Sequence, residues 1–218
     1  MPRFIDVDRS LLVTTNMKVL YSTLCWQDHL QQLSEARFAR EVLLGGRHRH
    51  VMFTRNPYDR LVSAYVDKFQ THPRLLGTRD FSGWQKFQHR FLKRFGMPPG
   101  STDEAIRDAL LAVDFPRFIE ALPALHWRDT HLRPQHFRMS LAIKRTIRLL
   151  PLRIDELIPV EDLDHDRVRD AYGIELASVK RNATSHGPAE DYFTPQLRSV
   201  VNRIYRRDFE RLGYPMID

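Results

Sequence analysis

The residues able to do chemistry in this 218-residue chain fall into three clusters. The first lies in residues 53–69, FTRNPYDRLVSAYVDKF. A short apolar run, 51–54, meets Arg55 at once; Asn56-Pro57 then opens a stretch with Leu61, Val62, Tyr65, Val66 and Phe69 at helical spacing. Pro57 suits a first helical turn, where its missing N–H costs nothing, so Arg55 stands at the carboxyl end of a strand facing a helix start. A guanidinium there can bind a phosphate, and Ser63 reaches the same anion if the ligand runs along the helix. The second cluster is Lys18 with Ser22 and Thr23, in N-cap and first-turn positions of another helix, where amides, hydroxyls and the helix dipole converge on an anion. The third is LHWRDTHLRPQ, residues 125–135. Its His131 is a candidate general base, because imidazole titrates near neutrality. Asp129 either orients His131 or is itself the base, and His126 reads as structural.

These clusters need elements to hold them. Residues 11–15 (LLVTT) form a β-prone run, and an amphipathic stretch with Leu24, Trp26, Leu30 and Leu33 follows the Lys18 loop. Both anion clusters therefore read as strand, polar loop, helix. No G-x-x-x-x-G-K-[ST] loop occurs, so the physical logic of a phosphate loop is present without its usual sequence. The pattern predicts one α/β domain over 1–218: a short parallel sheet with strands near 11–16, 49–55 and 147–160, flanked by helices, with sites at the carboxyl ends of the strands. A basic stretch over 74–101, ending in Gly96, Pro98, Pro99 and Gly100, reads as a mobile helical insert. Glu161 follows the last strand and reads as structural. The basic run Lys180-Arg181 lies in a polar loop and, on its residues alone, reads as a solvated charge run. Residues 197–214, with Val200, Val201, Ile204, Tyr205, Phe209 and Leu212 at helical spacing, form a C-terminal packing helix ending at Gly213.

The first cluster, Arg-x-Pro-x-x-Arg-Leu-x-Ser-x-Tyr-x-x-Lys (Arg55, Pro57, Arg60, Leu61, Ser63, Tyr65, Lys68), resembles the 3′-phosphate motif of the sulfotransferases, in particular the carbohydrate sulfotransferases acting on chondroitin and dermatan and their bacterial relatives. The resemblance implies a P-loop kinase-like topology. It implies 3′-phosphoadenosine 5′-phosphosulfate (PAPS) as sulfuryl donor and adenosine 3′,5′-bisphosphate (PAP) as product, with no metal. Arg55 and Ser63 would hold the 3′-phosphate, joined by Arg60, while Lys180 and Arg181 would close on the nucleotide. The Lys18 loop is similar to the family's 5′-phosphosulfate loop, with Met17 in place of the usual Pro; Lys18, Ser22 and Thr23 would hold that group, and Lys18 would neutralise the leaving phosphate. Asp129, His131, Pro134 and Gln135 resemble the family element that approaches the acceptor, implied to be a saccharide or glycolipid.

Composition bounds the alternatives. The chain has 34 Lys and Arg against 27 Asp and Glu, a net charge of +7, so it should attract polyanions. A nucleic-acid-binding module would carry a recognised motif, and the arginines are spread rather than gathered on one helix. A P-loop-like kinase, the enzymatic rival, would need Mg²⁺ and acidic ligands at the strand ends. One cysteine, Cys25, excludes an internal disulfide framework, and no apolar stretch approaches the roughly 20 residues of a membrane span. A cytoplasmic bacterial enzyme is the simplest expectation from these features.

Overall fold

The structure, a computed structural model, describes residues 2–75, 83–143, 148–176 and 187–218. In chain order the elements are β1 (Arg3–Asp6), β2 (Leu11–Thr14), α1 (Tyr21–Cys25), β3 (Gln31–Gln32), α2 (Glu35–Leu44), β4 (Arg49–Thr54) and α3 (Pro57–Tyr65). A π-helical turn, Val66–Thr71, leads into α4 (His72–Leu75), followed by α5 (Lys86–Arg94), α6 (Asp103–Leu111) and α7 (Phe115–Leu125). A 3₁₀ turn, Gln135–Met139, opens β5 (Ser140–Ile143), β6 (Arg148–Pro151), β7 (Glu156–Pro159), α8 (His165–Tyr172) and α9 (Pro195–Leu212). Contacts divide the chain into two compact units, residues 1–56 with 135–183 and residues 57–134 with 184–218. Among the described residues no helix is long and apolar enough to cross a membrane.

Unit 1 is the α/β part. Its sheet has the order β3-β1-β2-β4-β7, with β2, β4 and β7 parallel and β1 antiparallel to both β2 and β3. The sheet is thus mixed, not purely parallel. Its three parallel strands match the predicted ones, but the predicted 147–160 strand divides. Arg148–Pro151 pairs with β5 in a separate antiparallel hairpin, and only Glu156–Pro159 joins the main sheet. Asp155 explains the change of neighbour. Its amide donates to the His50 carbonyl and its carboxylate accepts from the His50 amide, both at 2.8 Å, so the chain enters the sheet there and not earlier. The antiparallel β1 was not expected, because a four-residue strand flanked by Arg3 and Asp6 carries no apolar run of its own. Its apolar residues, Phe4 and Ile5, point to opposite faces. Phe4 joins Leu11, Val13, Val51, Phe53 and Ile158 against α1 and α8, while Ile5 joins Leu12 and Phe38 of α2 on the other side.

Unit 2 is helical around an aromatic core in which Phe69, Phe91 and Phe118 are stacked or edge-on at 5.0–5.6 Å between ring centres. The C-terminal helix forms as predicted and runs Pro195–Leu212, started by the Thr194 hydroxyl and stopped by Gly213 in the left-handed region at φ 78°. The predicted insert contains α5, opened by a Gln85–Gln88 capping box; residues 76–82 of that stretch lie outside the described residues.

His50 is a buried titratable group of the sheet. Its Nε2 lies 2.8 Å from the Thr14 hydroxyl, and burial, with the charge of Arg3, lowers its pKa to about 4. A histidine with a depressed folded pKa keeps the protein stable above its unfolded value near 6.5, and that stability is lost as pH falls toward 4. Urea unfolding of His50→Gln between pH 7 and 4 should therefore show a shallower loss than wild type, by up to about 1.4 kcal/mol per pH unit.

Candidate active site

In unit 1 the chain leaves β2 through a tight loop. The Val19 amide donates to the Asn16 carbonyl at 3.1 Å, and the buried Thr15 hydroxyl donates to the Val19 carbonyl. Lys18 and Leu20 both take left-handed backbone, at φ 67° and 55°. Each such residue costs roughly 1–2 kcal/mol unless its surroundings enforce it, and the Thr15 and Asn16 bonds do so. The N-cap of α1 is Leu20, with no side-chain cap, rather than Ser22 or Thr23. Both hydroxyl residues sit inside the first turn. The first intrahelical bond is Leu24 N–H to Leu20 C=O, at 3.0 Å, so the amides of Tyr21, Ser22 and Thr23 precede the helical ladder and face outward along the axis.

Arg55 follows β4 directly. Because β2, β4 and β7 are parallel, the Lys18 loop, Arg55 and Glu161 all leave the sheet at its carboxyl edge. The Arg55 guanidinium donates from Nη1 to the Lys18 carbonyl at 3.2 Å, which ties the two cationic residues together. Its main chain is held as well. The Gln135 carboxamide accepts from Arg55 N–H at 3.0 Å and donates to Arg55 C=O at 2.6 Å. The Glu161 carboxylate accepts from the Asn56 amide at 2.6 Å, which gives Glu161 the structural role read from sequence.

In unit 2, Ser63 and Arg60 lie on α3 and are buried. Arg60, 1% exposed, donates from Nη2 to the Arg133 carbonyl at 3.0 Å and lies over the Tyr205 ring at 5.7 Å. The Tyr205 hydroxyl donates to the Leu132 carbonyl, and Tyr205 is the one residue of α9 with non-helical backbone, φ −104° and ψ 15°. Two side chains therefore pin consecutive carbonyls just after His131. Lys68, the last motif residue, pairs with Asp67 at 2.6 Å, and Gln88 donates to the Lys68 carbonyl at 2.8 Å within the π-helical turn.

The 129–133 loop is built around one carboxylate. Asp129, 4% exposed, accepts from the His131 amide at 2.9 Å and from His131 Nδ1 at 2.8 Å through Oδ1, and from Arg90 through Oδ2. Burial works to raise its pKa, but the bonds from His131 and the charges of His131 and Arg90 outweigh it and hold the carboxyl below the ordinary range. An ionised carboxylate only accepts, so Nδ1 carries the proton and the lone pair of a neutral His131 is at Nε2. Asp129 thus accepts three donor bonds, and the two from His131 orient the ring. Phe87 of α5 packs edge-on against the His131 ring at 5.3 Å. His126 donates from Nδ1 to the Leu122 carbonyl at 2.9 Å, a helix-end contact in keeping with a structural histidine.

Lys180 and Arg181 lie outside the described residues. Sequence reasoning did not find Arg90, whose partner Asp129 is 39 residues later, nor the attachment of Gln135 to Arg55 across 80 residues. No local spacing signals either pair.

With this geometry in place, comparison with known proteins defines the class. The chain belongs to the sulfotransferase family, whose model matches residues 13–215. Among curated proteins it is similar to carbohydrate sulfotransferase 12 of Mus musculus, 26% identical over 181 residues, covering 78% of this chain and 41% of the mouse protein. The chain thus spans less than half the length of that relative. No solved structure gives a significant match.

The dyad makes an NMR prediction. Long-range proton–nitrogen spectra of neutral His131 should show Nδ1 protonated and Nε2 bare. Asp129→Asn should lose that single-tautomer signature, and a wild-type spectrum with the proton on Nε2 would contradict the assignment.

Proposed function

We propose that this protein transfers a sulfuryl group from PAPS to a hydroxyl of a carbohydrate. The observation that carries the reading is the Arg55 Nη1 bond to the Lys18 carbonyl, which joins the two family phosphate motifs within one unit. The fold is read as P-loop kinase-like on the same grounds: parallel strands whose carboxyl ends carry the anion-binding loops. Lys18, the hydroxyls of Ser22 and Thr23 and the first amides of α1 take the 5′-phosphosulfate. Arg55 takes the 3′-phosphate, and Ser63 is the hydroxyl that the motif contributes to the donor. Arg60 serves the fold instead of the nucleotide. Lys180 and Arg181 remain donor-side residues by resemblance alone.

In the reaction the acceptor oxygen attacks sulfur in line as the bond from sulfur to the phosphate oxygen breaks. His131 Nε2 takes the acceptor proton, Asp129 stabilises the resulting imidazolium through Nδ1–H, and Lys18 neutralises charge developing on the departing PAP. Asp129 is an orienting partner here, kept ionised chiefly by its bonds from His131 and also by the charge of Arg90. The acceptor is a saccharide or a glycolipid; the mouse relative's name supports the carbohydrate class.

PAP should stabilise the protein thermally without added magnesium, more than AMP or ATP does, because only PAP offers a 3′-phosphate. At about 100 times its dissociation constant a ligand adds roughly 2.7 kcal/mol. Equal shifts with AMP, or a strict need for magnesium, would sink the reading and favour a kinase. Arg55→Ala should weaken PAP binding by about 1.5–3 kcal/mol, whereas Lys18→Ala should lower turnover more than affinity.

Removing the base should separate binding from chemistry. His131→Ala should keep PAP affinity and lose about 10² to 10⁴ in turnover. Near wild-type turnover in that variant would take His131 out of the mechanism.

A further inference from the structure

The main chain runs out of partners where β4 ends. Val160 N–H donates to Thr54 C=O at 2.9 Å, the last rung between β4 and the chain after β7, and Arg55 then stands beyond the ladder. A backbone N–H and C=O at such a point are satisfied by water or by side chains, and water would leave the residue free to move. Gln135 supplies both partners from one carboxamide, at 3.0 and 2.6 Å, in the donor and acceptor pattern that a neighbouring strand would offer. The side chain is fully buried, and both ends of its carboxamide are engaged with the Arg55 main chain. With the main chain fixed, the guanidinium reaches the Lys18 carbonyl at 3.2 Å.

We infer that Gln135 is a positioning residue of the donor site: its carboxamide stands in for a missing strand and fixes Arg55, so that the protein reads the 3′-phosphate of the donor. The inference rests on the reading of Arg55 as the 3′-phosphate ligand. It moves Gln135 from the acceptor side, where its sequence context placed it, to the donor side. A group that acts only through Arg55 should affect discrimination between PAP and AMP and not general nucleotide affinity, since AMP lacks the phosphate that Arg55 reads.

The test is calorimetric titration of PAP and AMP into wild type, Gln135→Met, Gln135→Glu, Arg55→Ala and the Gln135→Met/Arg55→Ala double variant, each checked for fold by circular dichroism. Gln135→Met removes both bonds at similar size and should weaken PAP about tenfold or more with AMP unchanged. In the double variant the loss should be no greater than in Arg55→Ala alone. Gln135→Glu keeps the acceptor for Arg55 N–H but loses the donor to its carbonyl. Its PAP affinity relative to wild type should recover as pH is lowered and the introduced carboxyl gains a proton. This variant carries the test if Gln135→Met does not fold. Wild-type discrimination in a folded Gln135 variant, or full additivity with Arg55→Ala, overturns the inference while leaving the donor reading intact. Wild-type PAP affinity in Arg55→Ala removes the donor reading itself, and the inference with it.

Discussion

A strand that ends with its next residue still inside the protein must find hydrogen-bond partners for that residue's main chain, and the organisation of unit 1 follows from how this is met after β4. Arg55 and Asn56 lie past the ladder, and Gln135 and Glu161 take up their amides and the Arg55 carbonyl. Both partners come from the part of unit 1 that follows Pro134, so the end of β4 and the residues just after it are held by the same segment. Arg55 in turn holds the Lys18 carbonyl, and the left-handed Lys18 and Leu20 are enforced by Thr15 and Asn16. A cation held in this way needs little reorganisation when an anion arrives, which is the condition under which electrostatic stabilisation contributes most to a reaction.

Unit 2 solves a different problem with the same means. A buried carboxylate is costly unless it is paired and hydrogen-bonded, and Asp129 has three donors, two of them from His131. Satisfying the carboxylate fixes the ring's tautomer, and the carbonyls that follow are fixed by Tyr205 and Arg60. Arg60 does this from within the motif read from the sequence, so one stretch of α3 contributes both to that motif and to the loop that holds Asp129 and His131. Arg90 is the exposed partner of the set, 41% accessible at the side chain, and it links α5 to the 129–133 loop.

The sequence made the parallel strands legible because β2, β4 and β7 are apolar runs followed at once by polar loops, and α9 legible because its apolar spacing and Gly213 agree. The mixed character of the sheet was not, since β1 has two apolar residues that face opposite sides. The split of the 147–160 segment depends on Asp155 pairing with His50 across 105 residues, a contact without a local signature. At the site, residue types with a fixed spacing, Arg55 with Ser63 and Asp129 with His131, stood out. Of the residues that act by holding others, Arg90 was not found, Tyr205 was read only as helix packing and Gln135 only as part of the element that approaches the acceptor, because their partners lie far away in sequence. The N-cap of α1 was misplaced for a related reason: a left-handed Leu20 defeats the rule that a hydroxyl residue starts a helix.

The central claim is that this site moves a sulfuryl group, so the most direct measurement follows the sulfur. Sulfur-labelled PAPS would be incubated with the protein and a panel of saccharides, glycolipids, phenols and simple alcohols, with magnesium chelated. The acceptors would then be analysed by mass spectrometry for an added SO₃ and the nucleotide for PAP. The account predicts an ester sulfate on a saccharide or glycolipid in amounts equal to the PAP formed. Labelled sulfate released only to water, sulfation confined to phenols, or, in a parallel reaction with magnesium ATP in place of PAPS, phosphate passed to the same acceptors would contradict it.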